Sequence, residues 1–80
     1  MATEIIEATL PGVVYLSRSP EEAVFKQPGD RVEIGDTIAL IEVMKAFMPI
    51  EAEVAGTLLR YAVENEAAID VGDTICEIEV

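Results

Sequence analysis

The sequence predicts an all-β sandwich or barrel assembled from two copies of one half-domain, and three observations predict it. The first is an internal repeat. Residues 33–43 return 37 positions later as residues 70–80, with seven of eleven positions identical. Ile6-Glu7-Ala8 followed by Gly12 likewise returns 44 positions later as Ile50-Glu51-Ala52 followed by Gly56. The second is a two-residue alternation of apolar and polar side chains within the repeated segments, the period of a half-buried strand. The third is a set of turn signals placed at matching points of the two copies.

Taken in order, the half-repeats run over about residues 5–43 and 49–80, and together they make residues 1–80 one small domain. The fall in offset from 44 to 37 requires copy one to hold seven extra residues between Leu16 and about Phe25. Within that insertion, at about 17–24, Ser19 precedes Pro20 and lies three residues before Glu22. This pattern predicts a single capped helical turn. Pro28-Gly29-Asp30 reads as a turn, with Asn65-Glu66 in its place in copy two. Gly35-Asp36 and Gly72-Asp73 announce the strongest strands. Ala39, Ile41 and Val43 should face inward in one, and Cys76, Ile78 and Val80 in the other, with Glu77 and Glu79 outward. Ile38 and Leu40 fall on the outward face of copy one, to be covered within the sandwich or by a second chain. Residues 60–68 have fair helix propensity, but their register with copy one predicts strand and turn.

Composition narrows the function. Half the residues are apolar but only four are aromatic, so the core is aliphatic. A formal net charge of −11 disfavours nucleic acid and anionic membrane surfaces as partners. No apolar run is long enough to span a bilayer, and no secretory signal pattern is visible. With one cysteine and no internal disulfide, the expected address is the cytoplasm. There is no histidine, which excludes a His-based triad, a His metal site and a His general base. Cys76 takes the place of Ala39 and is expected to be a buried core thiol, while Asp36 and Asp73 are expected to form turns.

The junction between the copies is Met44-Lys45-Ala46-Phe47-Met48. A connection this short puts Lys45 at the tip of a hairpin, accessible to an acylating enzyme. The only other lysine is Lys26.

Glu42-Val43-Met44-Lys45 within a twice-repeated β-domain resembles the biotinyl domain of biotin-dependent carboxylases. The resemblance extends over nearly the whole chain, through Pro11-Gly12-Val13-Val14-Tyr15, Ile50-Glu51-Ala52 with Gly56-Thr57, and Val63-Glu64-Asn65. The insertion Ser19-Pro20-Glu21-Glu22-Ala23 is similar to the thumb of bacterial acetyl-CoA carboxylase carrier proteins. The resemblance implies a flattened barrel-sandwich of two four-stranded sheets with the attachment lysine on a hairpin tip. It implies covalent biotin on Lys45, placed there by a biotin protein ligase within the motif Val43, Met44 and Ala46. Biotin carboxylase and a carboxyltransferase would be the partners, with CO2 carried as carboxybiotin towards acetyl-CoA and fatty-acid synthesis. Thumb residues 19–23 would contact the biotin ring, and the protein itself would be a non-catalytic carrier. Two departures from the family motif Ala-Met-Lys-Met stand out: Val43 before the Met-Lys pair and Ala46 after it. Ala46 is a lipoyl-like feature, so a lipoyl carrier of a 2-oxoacid dehydrogenase-type complex is the alternative, and an unmodified structural domain is the third.

Overall fold

The structure is a computed structural model that describes residues 2–19 and 21–80; Pro20 of the expected thumb lies outside them. Its strands are β1 (Thr3–Glu7), β2 (Gly12–Tyr15), β3 (Arg31–Val32), β4 (Thr37–Val43), β5 (Ala46–Glu51), β6 (Gly56–Tyr61), β7 (Ala68–Ile69) and β8 (Thr74–Glu79). Among the described residues they form two four-stranded sheets, β1-β8-β6-β3 and β5-β4-β2-β7. The sheets stay open, as a flattened sandwich. Exchanging each strand for its repeat counterpart (β1 for β5, β2 for β6, β3 for β7, β4 for β8) turns one order into the other. The quasi-two-fold repeat is therefore a symmetry of the topology.

All pairings are antiparallel, and only β2–β4 and β6–β8 join strands of the same copy. The others, including β1–β8, β2–β7, β3–β6 and β4–β5, cross between copies. Each layer thus needs both halves. Between the layers lies an aliphatic core in which Val14, Val32, Ile38, Leu58, Ile75, Cys76 and Ile78 have no exposed surface. Burying each large aliphatic side chain contributes about 1.5–3 kcal/mol.

Two expectations about the faces are corrected, the first being Val80, expected inward and 44% exposed. Ile38 is fully buried rather than outward. The β4–β5 register steps from Thr37↔Glu51 to Ala39↔Ile50, so Ile38 is an unpaired bulge residue. A bulge sets two consecutive residues against one and re-aims a side chain, which here puts both Ile38 and Ala39 in the core. Its counterpart Ile75 is skipped in the same way between Ile6↔Cys76 and Glu7↔Thr74. The apolar outward position needs no second chain to cover it. Leu40 remains half-exposed.

The turns also follow the repeat. Gly29 (φ 96) and Glu66 (φ 66) are counterparts, as are Gly35 (φ 93) and Gly72 (φ 90). Asp36 accepts the Glu33 amide at 2.9 Å and Asp73 accepts the Asp70 amide at 2.8 Å, so both aspartates are turn formers. Residues 60–68 contain the end of β6, a turn and the start of β7, with no helix. Strand pairing on both sides overrides the local helix propensity.

The insertion between β2 and β3 is a pinned loop and not a capped helical turn. A bridge between Ser17 and Val24 closes its base, where the Phe25 amide also bonds the Leu16 carbonyl at 2.9 Å. The Arg18 guanidinium lies 5.7 Å from the centre of the Phe25 ring, within cation–π range. The Ser19 hydroxyl meets the Glu22 carboxylate at 3.4 Å instead of the amide that a helix cap requires. Bonds across the base set this loop's shape, so a local cap signal does not propagate into a helix.

Beyond the loop, Lys26 pairs with Asp36 at 3.2 Å. The Asp36 carboxyl is held below the usual carboxylate range, chiefly by the Glu33 amide and then by the Lys26 ammonium. A depressed native pKa stabilises the fold above the unfolded value of about 3.9, and this contribution is lost as pH falls through the lower native value. Asp36→Asn should therefore lower the urea midpoint at pH 7. The gap to wild type should close as pH falls below about 3.9 and through the native value. A gap of constant size across that window would assign the effect to shape instead of charge.

Candidate functional site

Val43 faces Ala46 across β4 and β5, which leaves Met44 and Lys45 as the two residues of a tight hairpin. Their φ angles are 51° and 68°. Positive φ at both central residues marks a type I′ turn, the twist that matches flanking strands and that Asn-Gly normally supplies. An L side chain in this region costs about 1–2 kcal/mol per residue. Strain retained at an exposed tip points to function. Met44 is 95% exposed and Lys45 is exposed beside it.

The two lysines differ in their partners. Lys26 is held by the Arg31 carbonyl at 3.1 Å and by the Asp36 carboxylate. Lys45 makes no ion pair among the described residues. Val43 packs against the core and anchors the hairpin, whereas Ala46 is exposed. The counterpart of the Val43–Ala46 pair is Val80 with Ala2, joined by the Val80 amide to the Ala2 carbonyl at 2.9 Å.

Beside the tip lies a cluster that sequence reasoning did not assemble. The Tyr15 hydroxyl donates to Glu42 Oε1 at 3.0 Å, and its ring meets Phe47 at 5.7 Å between centroids, inclined by 59°. Glu42 pairs with both Val13 and Phe47, so β2, β4 and β5 each contribute one member. Acceptance by Glu42 pushes the Tyr15 hydroxyl above its usual pKa and keeps it a neutral donor. The sequence signal was the alternation that puts Tyr15 outward, but only register brings Phe47 to it.

Of the expected thumb residues, Ser19 is half-buried, and Glu21, Glu22 and Ala23 are exposed. None is hydrogen-bonded to the hairpin among the described residues. Met48 is half-exposed on the edge strand β5, where Pro49 costs no ladder bond. Cys76 is fully buried, and burial pushes its thiol up to about 11, which leaves it inert at neutral pH. Burial raises the Tyr61 hydroxyl to about 12, and it donates to the Ile38 carbonyl at 2.8 Å. Among the described residues no helix is long and apolar enough to cross a membrane.

This arrangement fits a covalently attached acyl cofactor. It offers an accessible amine on a tight turn, with an aromatic and hydrogen-bonding shelf beside it. Comparison with known proteins points the same way. A family model described as "Biotin-requiring enzyme" matches residues 6–78. The chain is 35% identical over 74 residues to the biotin carboxyl carrier protein of acetyl-CoA carboxylase from Porphyra purpurea, covering 92% of this chain and 47% of that protein. It is 36% identical over 76 residues to the protein of that name from Streptococcus pyogenes, covering 95% and 46%. The chain thus spans about half the length of the curated relatives it matches. The crystal structure of Kluyveromyces lactis urea carboxylase superimposes with a TM-score of 0.75 at 28% identity, covering 99% of this chain and 6% of the other. A match over residues 6–78, with relatives at this identity along most of its length, means that the chain belongs to the biotin/lipoyl attachment family.

Proposed function

We propose that this chain is a single biotinyl domain that carries biotin on Lys45 within a multi-subunit carboxylase, as a carrier and not a catalyst. The observation that carries this reading is a strained hairpin that holds an exposed, unpaired lysine at its tip. A biotin protein ligase acylates that amine, with Met44 and Val43 before it and Ala46 after it as the recognised tip. Lys26 escapes because its ammonium is engaged by Asp36 and Arg31. When attached, biotin supplies a ureido nitrogen that accepts a carboxyl group in one active site and releases it in another.

The chain's own residues tether and position. Tethering keeps the cofactor at high effective concentration for both sites. Tyr15 and Phe47 offer an apolar rest for the arm, and Glu42 fixes the Tyr15 ring. In this reading thumb residues 19–23 contact the biotin ring. The partners in this reading are biotin carboxylase and a carboxyltransferase acting on acetyl-CoA, which serves fatty-acid synthesis in the cytoplasm.

One feature favours a second reading. Ala46 directly after the lysine suits a lipoyl carrier. Intact-protein mass with peptide mapping of Lys45, on material from the native host, decides among the readings. A biotin adduct is expected; a lipoyl adduct replaces the reading, and a bare lysine at full occupancy refutes both.

A further inference from the structure

Two adjoining hollows of about 410 and 490 Å³ lie at the waist of the sandwich, away from the Lys45 tip. They share Ile6, Glu7, Thr9 and Glu53 and so form one continuous groove. The groove straddles the pseudo-dyad, because its walls are repeat counterparts: Ile34 with Val71, and Glu7 with Glu51. Ile34 is 71% exposed and Val71 60% exposed, although both are aliphatic and stand beside the Gly35 and Gly72 turns. Neither side chain serves the core. Around them stand Glu7, Glu51 and Glu53, all exposed, with no basic residue in the lining.

We infer that this groove is where the carrier docks on the enzyme that carboxylates its cofactor, an inference that rests on the carrier reading. A groove with carboxylates along its length and one exposed aliphatic side chain in each hollow complements a surface on which apolar side chains project between lysines or arginines. A second copy of the chain is disfavoured, since it would set glutamates against glutamates on a molecule of net charge −11. An enzyme that binds bicarbonate and a nucleoside triphosphate, both anions, gathers positive charge around its site and supplies the complement. The distance also suits. Residues 49–51 lie four to six positions along β5 from Lys45, roughly 13–20 Å at about 3.3 Å per residue. Docking at the waist therefore leaves the tip and its arm free to enter an active site.

Symmetry sharpens the inference. Ile34 and Val71 alone would accept a partner in two orientations related by the dyad, only one of which presents Lys45. Glu53 breaks the tie, because its counterpart is the uncharged Thr9.

The test uses the biotinylated chain and biotin carboxylase purified from the same source. Ile34→Ser with Val71→Ser, and separately Glu7→Lys with Glu51→Lys, are expected to raise KM for the chain at least tenfold. The kcat and the carboxylation of free biotin should not change. The unbiotinylated Lys45→Arg chain should inhibit competitively, and should lose this when it carries either pair. Added salt should raise the wild-type KM and leave the lysine-substituted KM nearly flat. A KM within twofold of wild type for both pairs overturns the inference, as does an effect confined to the carboxyltransferase step. Failure of the wild-type chain to accept biotin at all would instead refute the carrier reading, and the docking site with it.

Discussion

Lys45→Arg is expected to abolish biotin incorporation completely while changing stability by less than about 0.5 kcal/mol, the usual range for a surface substitution. Arginine keeps the charge and much of the length, but its guanidinium stays protonated at any working pH and presents no nucleophilic amine. Lys26 cannot substitute, since it is tied to Asp36 and the Arg31 carbonyl. Mass spectrometry after incubation with ligase, ATP and biotin provides the measurement. Residual labelling of the arginine variant would move the attachment to another amine. A companion variant separates function from strain. Met44→Asn with Lys45→Gly supplies the pair that positive φ at both positions prefers. It should fold about 1–2 kcal/mol more stably than wild type and take no biotin. A stability gain coupled to loss of labelling would show that the tip gives up stability for an acylatable lysine.

Gly56→Ala is expected to lower stability by about 2–3 kcal/mol, because the added methyl would overlap the Glu79 carbonyl on the neighbouring strand. In a domain of this size that corresponds to a drop of about 10–20 °C in Tm. Gly12 is its repeat counterpart, and a methyl there would overlap the Glu42 carbonyl in the same way. Gly29 offers the contrast. Its φ is 96°, but a side chain there would meet nothing, and its counterpart Glu66 already holds φ 66° with a full side chain. Gly29→Asn should therefore cost well under half as much, since Asn tolerates positive φ. Gly56→Asn should be no better than Gly56→Ala. Thermal melts of the three variants would settle the matter. Equal losses at Gly29 and Gly56 would contradict a steric origin.

Much of this architecture was legible in the chain. The alternation of residues 76–79 places Cys76 and Ile78 inside, and the same segment in copy one places Ala39 and Ile41 inside. Gly35-Asp36 and Gly72-Asp73 form the equivalent turns that the repeat requires. The hairpin tip followed from the brevity of the junction. These features are local or repeated, so a period of two and a turn signature are enough to find them. Where the reading failed, a non-local bond had decided. Ile38 looked outward by alternation, yet the β4–β5 bulge turns it into the core. Ser19 and Glu22 looked like a helix cap, yet the Ser17–Val24 bridge shapes the loop.

The sequence by itself determined the class of fold, the two-copy organisation of its strands, the aliphatic core and the exposed lysine between the copies. Only the tertiary structure decided which strands of one copy lie beside which of the other, and therefore that each sheet is built from both. It alone brought Tyr15, Glu42 and Phe47 together, and set Ile34 and Val71 in adjoining hollows along an acidic waist. The physical reason is one of range. Side-chain alternation and turn preference act over two to four residues and are written wherever the chain is read. Register and bulges are fixed by strand pairing across large sequence separations, where a one-residue slip reverses every face.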